Sequence, residues 1–148
     1  MYNGMKKVSV KRAAVIPYFI DEDGTVRMMF MSPSDSKYGG SDPQLAKGKV
    51  DPEDESIMDT AFREAHEELG LRKDNIHTES IKFYGTILGN TDLFYCRVID
   101  QTNFDEPHYE TEKTFWLTNE EFGQFGRALH IDIVNEVSMQ IMMDTLED

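Results

Sequence analysis

Gly48-Lys49-Val50-Asp51-Pro52-Glu53-Asp54-Glu55, followed after seven intervening residues by Arg63-Glu64-Ala65-His66-Glu67-Glu68-Leu69-Gly70-Leu71, decides the fold. Between Ser56 and Leu69 the apolar residues Ile57, Ala61, Phe62, Ala65 and Leu69 recur at helical spacing. Ser56 with Asp59 supplies a start signal, and Gly70 supplies the residue that tolerates a left-handed cap. On that helix Glu64, Glu67 and Glu68 stand at i, i+3 and i+4, so their carboxylates share one face. Three like charges within a turn repel unless a cation joins them. Hard oxygen donors of this kind suit Mg²⁺ or Mn²⁺, completed by phosphate oxygens and water. The spacing therefore predicts metal-assisted phosphate chemistry.

Other acidic motifs do not fit. A calcium loop starting at Asp51 lacks the glycine at its sixth position and the terminal glutamate in register. His66-Glu67 has no second histidine one turn later, which excludes the zinc-protease pattern. A merely solvated helix face would mix signs at i,i+4 to gain pair stabilisation.

Working outward, Val8 to Ile20 reads as a strand, Asp21-Glu22-Asp23-Gly24 as a turn and Thr25 to Met31 as its hairpin partner. Ser32 to Pro43, rich in Ser, Asp, Gly and Pro, is an irregular loop leading into the acidic stretch. Beyond it, Ser80 to Leu88 and Asp92 to Ile99 form a second hairpin about Gly89-Asn90-Thr91. Thr111 to Leu117 is a strand, Thr118 to Phe122 opens a short helix, and His130 to Leu146 is a packed helix. The order is mixed α+β. The 148 residues fit one domain, 1–148, without repeats or a linker.

The formal net charge of -13 disfavours a nucleic-acid backbone as partner, whereas a bound divalent cation inverts the local sign for a small anionic substrate. Cys96 is the one cysteine, so an intrachain disulfide is excluded and a reducing cytoplasm is expected. The basic stretch Met1 to Arg12 lacks a signal-peptide core, and no run reaches the roughly 20 apolar residues of a membrane span.

The box closely resembles that of the Nudix hydrolases: Gly, five residues, Glu, seven residues, Arg-Glu, two residues, Glu-Glu, one residue, Gly and an aliphatic residue. Counted back from Arg63, the isolated glutamate is Glu55. From Gly48 there are then six intervening residues in place of five, and Ala65 is small for its position. The resemblance implies an α/β/α sandwich with a mixed central sheet and a loop-helix catalytic box. It implies that Glu67 and Glu68 are the main metal ligands, that Glu64 is a ligand or the base, and that Arg63 orients Glu64. Glu55 assists from the helix start, and the loop at Lys47 adds a metal-facing group. Glu110, six residues before Trp116, resembles a downstream acid of the dinucleoside polyphosphate hydrolases, with Glu106, His108 and Glu112 as rivals. Tyr38, Tyr84, Phe94 and Tyr109 are candidates to stack on a base.

The activity so implied is Mg²⁺-dependent cleavage, with Mn²⁺ as substitute, of a nucleoside diphosphate joined to another group. Diadenosine polyphosphates, ADP-ribose and FAD are candidate substrates. Removal of RNA 5′ caps and non-catalytic nucleotide sensing are the alternatives, and a homodimer is possible because family members often dimerise.

Overall fold

In the computed structural model, which describes residues 10–147, six strands and three helices build an α+β sandwich. Strands β1 (Arg12–Ile20), β2 (Val26–Pro33), β3 (Lys47–Lys49), β4 (Lys82–Ile87), β5 (Thr91–Arg97) and β6 (Thr111–Leu117) form one mixed sheet. Its order is β4-β5-β1-β2-β6, with β3 also paired to β1. Helix α1 (Ile57–Leu69) covers one face, and α2 (Asn119–Phe125) with α3 (Ile131–Leu146) covers the other. The beginning of the first expected strand, Val8 and Ser9, lies outside the described residues.

Strand β1 is central and buried on both sides, so it reads as a continuous apolar run. Its side chains still alternate: Ala13 and Val15 pack beneath α1, while Ala14, Ile16 and Tyr18 join the core under α2 and α3. Ala61, Ala65 and Leu69 form the buried face of α1, and the two alanines let the helix lie close to the sheet. On the opposite side Phe30 and Phe122 are fully buried with ring centroids 4.3 Å apart. Thr118 and Glu121 complete a reciprocal capping box that starts α2.

The sheet opens where the box loop enters. β1 pairs with β3 over Arg12–Ala14 and with β2 over Tyr18–Ile20. Pro17, which has no N–H, falls in the interval between these partners. The segment before β3 fills the gap, because Gln44 bridges to Met31 of β2 by two backbone hydrogen bonds of 2.8 and 3.1 Å. Residues 44–49 are thus wedged between β1 and β2 and presented to α1.

Candidate active site

Helix α1 is fixed at both ends. The Ser56 hydroxyl accepts from the Asp59 N–H at 3.1 Å, and Gly70 caps the C-terminus at φ 77°. Between the caps, Arg63 organises the acidic face. Its Nε and Nη2 each donate to Asp54 at 2.9 Å, while Nη1 donates to Glu64 at 2.9 Å and Glu67 at 3.3 Å. Nη2 also reaches the Lys49 carbonyl at 3.1 Å, which ties the helix to β3.

Asp54, one residue before the glutamate that the sequence register singled out, is the loop carboxylate that contacts Arg63. It accepts from both guanidinium nitrogens, from the Thr60 hydroxyl at 2.7 Å and from the Asp51 N–H at 2.8 Å. These donors, with Arg63 first, hold its carboxyl well below the usual carboxylate range. Glu55 is exposed immediately before the helix cap. Measured from Gly48, five intervening residues lead to Asp54, so the glycine register carries the signal and the extra residue falls between Asp54 and Arg63. Asp54→Asn is expected to lower kcat by about 10- to 100-fold, as loss of an orienting partner does, with Glu55→Gln within about twofold of wild type. Steady-state kinetics of the two variants check this, and equal losses would contradict it.

Gly48 pairs with Ala13 in β3 and lies directly beneath Glu64. A Cβ at this position would overlap the Glu64 carboxyl, so glycine lets that group rest on the strand backbone. Beside it, Glu68 is pushed up to about 9, first by burial, then by its hydrogen bond to Glu64 and by the charges of Glu64 and Glu110. The Lys47 backbone N–H opposes this by bonding to Glu68, so the group that Lys47 turns toward Glu68 is its amide.

Because the Glu68 carboxyl retains its proton in the folded state up to about pH 9, whereas the unfolded chain releases it near 4.5, the metal-free fold loses stability as pH rises between these values. Glu68→Gln is expected to flatten that slope and to melt higher than wild type at pH 8 in EDTA. Thermal melts from pH 5 to 9 check the sign, and parallel profiles would contradict it.

The loop before β6 is strapped to the end of α1. Asp105 N–H donates to Gly70 O at 2.8 Å, His108 N–H to Glu67 O at 2.7 Å, and the Thr111 hydroxyl to Glu68 O at 2.8 Å. These bonds bring Glu110 to the rim of a cleft of about 710 Å³ that also contains Glu64, Glu67 and Glu68. Glu106, His108 and Glu112 do not line it, and the His108 ring packs edge-on against His66.

The aromatic candidates separate clearly. Tyr38 lines the cleft and is 66% exposed. Tyr84 instead donates to Glu136 of α3, Phe94 packs against Phe83, and Tyr109 projects outward. Cys96 is buried and its thiol is pushed up to about 12 by desolvation, which leaves it no role as a nucleophile.

A basic wall also lines the cleft: Arg12, Lys47, Lys49 and Arg127. Sequence reading missed Arg12 and Arg127, which come from the start of β1 and the turn after α2. Burial, followed by the neighbouring charges of Arg12 and Arg127, lowers the Lys47 ammonium below its ordinary value.

Among the described residues no group of three or more His, Cys, Asp or Glu side chains is arranged to hold a metal ion by itself. The oxygen donors at α1 nevertheless fit a cation that takes few protein ligands. Glu64 and Glu68 lie within hydrogen-bond reach of each other, Glu67 is held beside them by Arg63, and the cleft is open to phosphate and water.

The family model for the NUDIX domain matches residues 10–134. The chain belongs to the NUDIX domain family. No curated protein matches it in sequence. Among solved structures it is similar to a Caenorhabditis elegans Ap4A hydrolase binary complex, with 21% identity, TM-score 0.66, and coverage of 90% of this chain and 98% of that one. It is also similar to the Nudix hydrolase RenU from M. smegmatis (16%, TM-score 0.71, 89% and 87% covered). A third neighbour is the NUDIX domain of Shewanella oneidensis NrtR complexed with ADP ribose (11%, TM-score 0.66, 95% and 94% covered). At these identities the neighbours establish the shared fold.

Proposed function

We propose that this chain hydrolyses the diphosphate linkage of a nucleoside diphosphate joined to a second moiety, with Mg²⁺ as the working cation and Mn²⁺ as its substitute. The observation that carries the reading is a single cleft lined both by Arg63-ordered carboxylates and by basic side chains. A diphosphate ester is a partner for both sets: its oxygens bind a carboxylate-held cation and accept from cationic side chains. Glu67 and Glu68 would hold the cation with Glu64, which supplies charge neutralisation on the diphosphate and a lower pKa for the attacking water.

The remaining work falls to the protein. Arg63 fixes the carboxylate rotamers through three acidic partners, so the donors do not reorganise during reaction. Glu64 or Glu110 accepts the water proton as its oxygen bonds to phosphorus, and the bridging P–O bond breaks to release two phosphate esters. Asp54 acts through Arg63 as a positioning residue. Tyr38 offers a stacking surface for the base at the cleft rim.

The substrate is a dinucleoside polyphosphate or ADP-ribose, in keeping with the Ap4A hydrolase from C. elegans and the ADP ribose complex of the Shewanella domain. Residues 1–148 are read as one Nudix domain. Among the described residues no helix is long and apolar enough to cross a membrane. The buried free thiol accords with a reducing cytoplasm.

A substrate panel tests the proposal: ADP-ribose, diadenosine tetraphosphate, FAD and NADH, each incubated with Mg²⁺ and resolved by chromatography. Release of AMP, ADP or ATP by wild type is expected. Intact substrates throughout would overturn the reading.

A further inference from the structure

The basic wall is unusual in a chain whose formal charge is -13. Arg12, Lys47 and Arg127 form no ion pair within 4 Å among the described residues, although the charges of Arg12 and Arg127 both act on Lys47. Glu68 offsets part of the repulsion at Lys47, but like charges gathered without a close ion pair still cost free energy in the ligand-free fold. The fold also takes trouble to hold one of them. Arg127 Nη1 donates to Gln44 Oε1 at 3.1 Å, and the Arg127 N–H donates to the Pro43 carbonyl at 2.8 Å. Gln44 is itself fixed by its backbone bridge to Met31 in β2.

Holding Arg127 leaves the buried Gln44 Nε2 without a hydrogen-bond partner. Turning the amide over would set a donor against the guanidinium, so the unpaired nitrogen follows from using the oxygen on Arg127. A buried polar atom left unpaired is costly and marks a place where another requirement prevails. Gly39 closes the arrangement from the loop side. At φ +104°, any Cβ there would overlap Gln44 Oε1 and stand 2.8 Å from Arg127 Nη1.

We propose that Arg127, positioned by Gln44 and flanked by Arg12 and Lys47, forms a second phosphate subsite in the cleft and selects substrates whose phosphate chain continues past the linkage that is cut. The inference rests on the diphosphate reading of the same cleft and deepens it. The carboxylate wall cannot take up additional phosphate by itself, because its own charge repels it. A guanidinium presents paired N–H donors that match phosphate oxygens, and two further cations neutralise a chain of three or more phosphates. A neutral ribose at that end uses none of these charges.

The test separates the subsite from catalysis. Calorimetry in EDTA uses inorganic tripolyphosphate as the probe, so no divalent ion links it to the carboxylates. Wild type is expected to bind, Arg127→Gln to bind at least about tenfold more weakly, and Arg127→Lys to recover part of the loss. The charge-matched control Lys82→Gln, on the sheet edge, should equal wild type. No binding by wild type, or equal affinity in Arg127→Gln with its melting temperature retained, overturns the subsite. In turnover, Arg127→Gln should lower the ratio of kcat/KM for diadenosine tetraphosphate over ADP-ribose by about tenfold, through KM. An unchanged ratio with both substrates cleaved overturns the subsite alone, whereas failure of wild type to cleave either one counts against the diphosphate reading.

Discussion

Glu64→Gln is expected to lower kcat by about 10²- to 10⁴-fold while leaving the fold in place. Glutamine keeps the length of the side chain and an oxygen that can still accept from Arg63, so the contact at 2.9 Å and the helix caps survive. What it removes is the negative charge lying on Gly48 and beside Glu68. That charge is needed whether Glu64 accepts a proton or ligates the cation. The two roles differ in a second observable: loss of a ligand raises the Mg²⁺ concentration for half-maximal rate, and loss of a base lowers kcat at saturating Mg²⁺. Kinetics against Mg²⁺, with a thermal melt as the folding control, read both. A kcat within tenfold of wild type at saturating Mg²⁺ would remove Glu64 as the base, and an unchanged Mg²⁺ requirement would remove it as a ligand.

Gly70→Ala should be strongly destabilising. Gly70 ends α1 at φ 77°, where a side chain costs about 1–2 kcal/mol. An added Cβ would also overlap the backbone carbonyl of Asp105, a rigid group that cannot swing aside. Overpacking of this kind adds about 1–3 kcal/mol, for a total near 3 kcal/mol and a fall in Tm of roughly 10 °C. The damage extends to the site, because Asp105 N–H donates to Gly70 O and begins the strap that carries Glu110 to the cleft. Activity should therefore fall even below the melting transition. Calorimetric melting and kcat at 20 °C check the two parts, and an unchanged Tm would contradict the packing argument.

The part of the site carried by α1 was legible because helical spacing alone places Glu64, Glu67 and Glu68 together. Its caps were legible for the same local reason: Ser56 and Gly70 are read within one turn of the residues they serve. Asp54 was hidden by a choice of register. Its partners come partly from a tight turn at Asp51 and partly from the helix, and only their folded arrangement shows that a shorter aspartate reaches Arg63.

The basic wall was less accessible still. Arg127 and Gln44 are 83 residues apart and follow no shared periodicity. Strand β3 has three residues, too few to display alternation, and the parallel pairing of β1 with β5 depends on a long connection that no local pattern encodes. Glu110 was suggested by its spacing from Trp116, but its approach to the cleft depends on backbone bonds to α1.

The most direct test of the central claim is the initial rate of nucleotide release from ADP-ribose and diadenosine tetraphosphate as Mg²⁺ is titrated from excess EDTA to saturation, for wild type and Glu64→Gln. The account predicts negligible release in EDTA, a saturable rise with Mg²⁺ for at least one substrate, and a rate lower by two orders of magnitude or more in the variant. Release independent of Mg²⁺, or equal in the two proteins, would contradict it.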